Sequence, residues 1–468
     1  MIAIQAPEAA AHDVSLGTTL FFAGILVAMI LALAFEEKLH AKKSLIVGLF
    51  AAFCLVVGDL LLPLPLGPYQ IGDHMVKLPV YIPAIDWGVI AVILGAGLFV
   101  DVTARSGLFT WIAIKLTKVS LGDPRRLLWY YGLMTVVFSA VLNNVTAMII
   151  VGSLSAVSLD RLGRTDKLLG FLLIEGLLTN LGGLLTLISS VPNIIVGAAA
   201  QISFAMFFVK SSPFVVVSTV ATIALGAKLF DINALDTDEE RSEAAKMVAG
   251  FDENDGIESK AFFWFGAFML VAFIVAIATV SATPIISDLG MGFIAITFAL
   301  VMLIRYKHEA DEFYKGIDWD LLGFFAALFV VINIMEHAQV LALVGRGLER
   351  VIALGATTGT AAVLVAAAVV SAVTDNIPLA AMLAKIIAGI PMPDGGVRLA
   401  SDPLWWSVIF GANLGGNLTP IGSASTLVAV TIMHKHDVPL SFVQFVKKAL
   451  PFAAIQIGLA LVYVLVFL

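Results

Sequence analysis

The chain has 468 residues, 60% of them hydrophobic and only 13% charged. Soluble domains carry roughly 25% charged residues, so an ordinary soluble enzyme or binding module is excluded. The net charge of −7 comes without a basic cluster that would suggest a nucleic-acid partner, and the single cysteine, Cys54, gives neither a disulfide framework nor a thiol cluster for a metal.

Apolar stretches of about 20 residues recur along the chain, each long enough to cross a bilayer core of about 30 Å. The first fifteen residues lack the basic region of a cleaved leader and are expected to be a short mature tail. Helices are expected over about 18–35, 44–63 and 86–104. A basic, partly amphipathic stretch leads to two short apolar arms, 127–142 and 145–159, parted only by Asn143 and Asn144. A long segment, 168–198, carries the polar phrase "TNLGGLLTLISSVPN", and a helix follows at about 213–230. The acidic stretch 231–260 reads as a solvated linker. Helices at about 261–280, 286–304 and 318–335 precede a second pair of arms, 358–373 and 377–390. The chain closes with an interrupted segment, 403–433, carrying "ANLGGNLTPIGSAST", and a helix at 449–468.

These elements repeat. "IDW" occurs at Ile85 and Ile317, "SAVLNNV" and "SAVTDNI" begin at Ser139 and Ser371, and the two glycine-rich phrases begin at Thr179 and Ala412. "SFAMFFVKSSPF" and "SFVQFVKKALPF" begin at Ser203 and Ser441. The expected organisation is therefore 1–84, a tail with two leading helices; 85–230, a first repeat; 231–316, an acidic cytoplasmic loop with two linking helices; and 317–468, a second repeat. Repeats of this kind mark secondary transporters, with the site at the repeat interface.

Lysine and arginine crowd 36–43, 105–126, 161–167 and 305–315. Placing these segments in the cytoplasm puts both termini outside and makes the repeats inverted. Arms of about 15 residues span only some 23 Å, so each pair reads as a re-entrant hairpin. Arg346 and Arg350 then fall outside and require an interfacial helix. The expected fold class is an all-α polytopic membrane protein with two inverted-topology repeats. Each repeat has a re-entrant helical hairpin and a broken transmembrane helix, for about ten crossing helices and two hairpins in all.

Irregular backbone at membrane depth survives only where it is buried or lines a polar cavity. Gly182, Gly183, Gly415, Gly416 and Gly422 permit the breaks, and Pro192 and Pro420 oppose helix continuation. The first hairpin tip offers Asn143, Asn144 and Thr146 to a solute or ion, and the first break offers Thr179, Asn180, Thr186, Ser189, Ser190 and Asn193. The second half offers Asp375 and Asn376 at the tip, then Asn413, Asn417, Thr419, Gly422, Ser423, Ser425 and Thr426. Asn143 aligns with Asp375, and only the carboxylate can exchange a proton, so Asp375 is the first choice for proton coupling. Glu175, an intramembrane carboxylate, is the second. Lys385 either snorkels or neutralises a carboxylate. Asp101, Glu336, His337, His434 and His436 are expected near the interfaces, with no metal site among them.

The tips "LNNVTAM" and "TDNIPLA", followed by breaks ending in "ISSVPN" and "TPIGSAST", resemble the ion transporter superfamily, nearest its branch of arsenite permeases, sodium/proton antiporters and the melanosomal P protein. The resemblance covers about 85–468. It implies paired hairpins and broken helices, with sodium bound near the tips in sodium-coupled members. It allows a homodimer and, for an arsenite permease, a cytoplasmic ATPase partner. No nucleophile–base pair suggests an enzyme, and no cofactor is expected beyond transported or coupling protons or sodium. The leading reading is an inner-membrane, proton-coupled efflux permease for arsenite, antimonite or a similar small inorganic solute. A sodium/proton antiporter and a sodium- or proton-coupled carboxylate uptake carrier are the alternatives.

Overall fold

The computed structural model describes residues 4–5, 14–62, 64, 69–71, 74–392 and 396–468. Most of the expected N-terminal tail lies outside the described residues. Helix dominates because backbone amides and carbonyls in hydrocarbon must find their partners within the same segment. Two leading helices, α1 (Leu16–Ala34) and α2 (Lys43–Leu61), precede α3 (Trp87–Arg105) and the short α4 (Leu108–Val119). Helices α5 (Pro124–Val141) and α6 (Asn144–Arg161) make the first hairpin. The first broken helix consists of α7 (Leu168–Gly183) and α8 (Val191–Ala199), and α9 (Phe204–Leu229) ends the series. Three linking helices follow: α10 (Asp238–Ala249), α11 (Lys260–Thr279) and α12 (Pro284–Arg305).

The series then recurs in the same order. It runs α13 (Trp319–His337), the amphipathic α14 (Val340–Ile352), the hairpin α15 (Ala356–Ser371) and α16 (Asn376–Gly389), the broken helix α17 (Pro403–Gly415) and α18 (Ala424–Lys435), and α19 (Phe442–Phe467). Among the described residues eight helices are long and apolar enough to cross a membrane; the two broken helices add to these. Side chains such as Leu49, Leu60, Phe268 and Ile304 stand about 70% exposed, as expected of helices that face lipid. A short antiparallel ribbon of β1 (Ile4–Gln5), β2 (Tyr69–Ile71) and β3 (His74–Val76) ties the N-terminus to the α2–α3 connection and so puts both on one side.

The repetition extends to single contacts. Trp87 Nε1 donates to the Ile82 carbonyl at 3.1 Å, and Trp319 Nε1 to the Tyr314 carbonyl at 3.3 Å. Asp86 and Asp318 cap α3 and α13 through the amides of Val89 and Leu321. The following bends use left-handed residues in equivalent places, Gly107 (φ 81°) and Gln339 (φ 62°). The strongly amphipathic α14 carries Arg346 and Arg350, as an interfacial helix should.

The structure departs from the sequence reading in three places. The arms of the first hairpin have 18 residues each, about 27 Å of helix, because Asp123 caps the first arm earlier than its apolar run begins. Helices α9 and α19 start at Phe204 and Phe442, running through Pro213 and Pro451. Ser203 and Ser441 cap them, and a packed membrane helix tolerates one lost amide. The stretch 231–260 is more than a linker. Its helix α10 has a capping box and buries Ala244 and Val248, and Arg161 lies over the Phe251 ring at 4.4 Å.

Glu253 accepts from Lys115 at 2.8 Å and from Lys118 at 3.5 Å. Its carboxyl is held below the usual range by the hydrogen bond from Lys115 and by both ammonium charges. A depressed carboxylate stabilises at pH values above its unfolded range, and the contribution is lost as pH falls through the lowered value. Corrected hydrogen exchange across 251–257 should therefore stay slow at neutral pH and accelerate on acidification. In Glu253→Gln it should already be fast at neutral pH; equal rates in both proteins would refute the tether.

Packing separates the helices into two groups. In one, α2 lies along α13 and α3 along α12. Gly95 and Gly292 let α3 and α12 touch: a Cβ on Gly292 would stand 2.7 Å from the Ala91 Cβ. The Phe99 ring of α3 lies 4.4 Å from that of Phe273, tilted, and 5.9 Å from that of Phe298, edge to face. In the other group, the hairpins, the broken helices, α9 and α19 interlock.

Candidate functional site

Both breaks are held open by the same set of bonds. Ser139 donates to the Thr179 carbonyl at 2.6 Å, and Ser371 to the Ala412 carbonyl at 2.6 Å. Thr186 donates to the Ala140 carbonyl at 2.5 Å, and Thr419 to the Ala372 carbonyl at 2.6 Å. Each pair ties a break to the end of its own hairpin's first arm, next to the tip. The glycines allow this approach. A Cβ on Gly182 would stand 2.6 Å from the Val136 oxygen and 2.8 Å from the Ser139 Cβ; one on Gly415 would strike the Ala368 oxygen and stand 2.7 Å from the Ser371 Cβ.

The halves meet through reciprocal amide–hydroxyl pairs, as two-fold related surfaces must. Asn180 Nδ2 donates to Ser423 Oγ at 2.9 Å, and Ser190 Oγ donates to Asn413 Oδ1 at 2.7 Å. Around this core, Asn180 Nδ2 also reaches Asn417 Oδ1 at 2.8 Å, and Asn413 Nδ2 reaches Asn193 Oδ1 at 2.9 Å. Asn144 Nδ2 and Ser425 Oγ both approach Asn180 Oδ1, at 3.3 Å. Asn193 satisfies the Gly183 and Thr186 carbonyls at 2.6 and 3.1 Å. Asn417 bridges the Leu177 carbonyl and Gln456, whose amide continues to Thr222 at 3.0 Å.

Against this network lies a cavity of about 420 Å³. Asn143, Asn144, Thr146, Asn180, Ser189, Ser190, Asn376, Ser423 and Ser425 line it. Asn144 and Asn376, the equivalent tip residues, thus face one space. The α3 wall extends from Ile93 to Asp101, and Gly316 and Asp318 bring the start of α13 to the rim. Four helices, α6, α8, α16 and α18, present their N-terminal residues to the cavity. Each N-terminus carries the positive end of a helix dipole; Asn143, Asp375 and Ser423 already cap the Thr146, Ile377 and Thr426 amides, and only the start of α8 has no side-chain cap. Among the described residues no lysine or arginine lines the space; its charged residues are Asp101 and Asp318 at the rim.

Other expected site residues lie outside this lining. Thr179, Thr186, Asn193, Asn413, Asn417, Thr419 and Thr426 spend their polar groups on carbonyls and amides of the breaks. Gly422 packs on Gly416. Asp375 points away from the cavity: its Oδ1 caps α16 through the Ile377 amide at 2.9 Å, and its Oδ2 meets Lys43 Nζ at 2.5 Å. Glu175 is fully buried, accepts from Ser155 Oγ at 2.5 Å, and has no partner for Oε2 among the described residues. Lys385 pairs with Glu336 at 3.2 Å, so it neutralises a carboxylate, though a half-exposed one. Sequence reasoning missed Lys43, which lies in a leading helix outside the repeats, and Gln456, which looks like one polar residue on an apolar helix. Of the two rim carboxylates, the sequence marks Asp101 only as interfacial and does not single out Asp318.

A model of the citrate transporter family matches residues 30–411. The chain belongs to that family. Its relatives include a 46 kDa membrane protein of Mycobacterium leprae, 30% identical over 395 residues, with 81% of this chain and 86% of that protein aligned. The human P protein is 24% identical over 528 residues, covering 97% of this chain and 60% of P protein, which bears out the P-protein resemblance carried by the tips and breaks. Among solved structures, the YdaH transporter of Alcanivorax borkumensis superposes with a TM-score of 0.61 at 14% identity, covering 91% of this chain and 98% of that one. The chain is thus a multi-pass membrane transporter of the ion transporter superfamily, built as two repeats with paired hairpins and broken helices.

Proposed function

We propose that this transporter carries a small carboxylate-bearing anion across the inner membrane by alternating access. The observation that supports this most is the convergence of four helix N-termini on one cavity. Helix-dipole ends attract anions where no cationic side chain is present, and the uncapped start of α8 adds backbone amide donors. The family's description as citrate transporters agrees with that electrostatics. Arsenite, the leading sequence reading, is an uncharged trihydroxide at neutral pH and draws no benefit from four positive ends. Sodium/proton antiport would need Asp375 as a sodium ligand, and the Lys43 ammonium stands there instead. With the basic loops inside, both termini lie outside and the cavity, open beside Asp101 and Asp318, faces the cytoplasm. Asp375 remains the first choice for coupling. Glu175, a buried carboxyl whose Oε2 has no hydrogen-bond partner among the described residues, is the second.

A panel of thermal-shift measurements on the purified protein tests the substrate class. A ligand that binds only the folded state stabilises it by about 2.7 kcal/mol at one hundred times its Kd. Citrate or a shorter di- or tricarboxylate should raise the Tm by several degrees, and arsenite and sodium chloride should not. A rise with arsenite alone would return the reading to arsenite efflux.

A further inference from the structure

Lys43 sits at the first turn of α2, far in sequence from the second hairpin, yet its Nζ lies 2.5 Å from Asp375 Oδ2 and 3.9 Å from Glu36 Oε1. Its backbone is fixed: the Ser44 amide and hydroxyl both bind Asp320 Oδ1, at 3.2 and 2.5 Å, which locks the start of α2 to α13. Lys43 therefore belongs to the α2–α13 group, and Asp375 to the hairpin group. The ion pair bridges the two. The Asp375 side chain is only 12% exposed and that of Lys43 33%. The equivalent tip residue of the other half, Asn143, is neutral and caps α6 through the Thr146 amide at 2.8 Å. The second link from this hairpin to α13, Lys385 to Glu336, is half exposed on both sides and contributes little.

We propose that Lys43 is the fixed counter-ion of the transport cycle, and that Asp375 exchanges it for a coupling proton when the second hairpin moves. Closing the cavity on the Asp101 side requires the hairpin group to shift against α2 and α13. That shift withdraws Asp375 Oδ2 from the ammonium. A carboxylate left buried without a counter-ion is strongly disfavoured, so Asp375 takes a proton from the newly exposed side, forming an O–H bond at Oδ2. When the hairpin returns, that proton leaves to the cytoplasmic side and the ammonium takes its place. Lys43 keeps its own protons throughout. The charged groups facing the pair are Glu36 and Asp320, both on the Lys43 side. They hold the ammonium in place while Asp375 comes and goes. This inference rests on the alternating-access reading but not on which anion is carried.

The test uses full-length protein in nanodiscs, with Cys54→Ala and Gly97→Cys as reporter. Gly97 lines the cavity, and a Cβ added there would meet nothing within 4 Å. The rate of maleimide labelling there measures how often the cavity stands open on this side. Lys43→Gln should slow labelling at least about fivefold, and Asp375→Asn should do the same. Lys43→Arg should label at the parental rate, which shows that the charge and not the fold is at issue. The exchanged pair, Lys43→Asp with Asp375→Lys, should recover at least half of the lost rate. Parental labelling in Lys43→Gln, or no recovery in the exchanged pair, would overturn the proposal. No citrate is present, so failure of the anion reading would show elsewhere, in the thermal-shift panel.

Discussion

Asn180→Ala is expected to abolish transport, by at least about a hundredfold, and to lower the melting temperature as well. One side chain here serves four others: it donates to Asn417 and Ser423 and accepts from Asn144 and Ser425. Truncation takes the partner from Asn417 Oδ1 and Asn144 Nδ2, at roughly 1–3 kcal/mol for each buried group, while Ser423 and Ser425 keep each other. It also unties the first tip from the second break, so the cavity loses its shape as well as a donor. Asn413→Ala should be equally damaging, because Asn413 makes the reciprocal contacts to Ser190 and Asn193. The measurement is uptake into proteoliposomes alongside a thermal melt. If Asn180→Ala transports normally while Asn413→Ala does not, the two-fold account of the centre is wrong.

Gly415→Ala is expected to destabilise the protein by about 1–3 kcal/mol, the usual range for overpacking, and more if α17 cannot move away from α15. The added Cβ would strike a backbone oxygen, that of Ala368, not the end of a flexible side chain. Gly182→Ala should behave alike, since its Cβ would stand 2.6 Å from the Val136 oxygen. Gly458, in α19, has nothing within 4 Å. There alanine should be neutral or stabilise by about 0.5–1 kcal/mol, as expected for a helix interior. Equal melting of Gly415→Ala and Gly458→Ala would show that the break does not depend on close approach.

Much of this architecture was legible because the chain states it twice. The offsets linking "SAVLNNV" to "SAVTDNI" and the two glycine-rich phrases became, contact for contact, the Ser139/Ser371 and Thr186/Thr419 anchors. Hydropathy placed the apolar spans to within a few residues wherever a cap stood near the edge of the apolar run. It failed at Phe204 and Phe442, where a serine cap precedes a polar first turn and a proline. It also failed at α10, whose packing depends on two residues, Ala244 and Val248. The partner of Asp375 could not be read at all. Lys43 is 332 positions away in sequence and outside the repeats, so no periodicity points to it. The convergence of four helix starts was equally hidden: each cap is visible locally, but their meeting is a property of the assembled halves.

Counterflow of radiolabelled citrate in proteoliposomes, without any ion gradient, tests the central claim most directly. Vesicles preloaded with unlabelled citrate should transiently accumulate the label, excess external tricarboxylate should compete, and arsenite should not. Asn144→Ala should eliminate the signal. Sodium-driven proton movement by the same vesicles, with no counterflow of citrate or of any shorter carboxylate, would contradict the account.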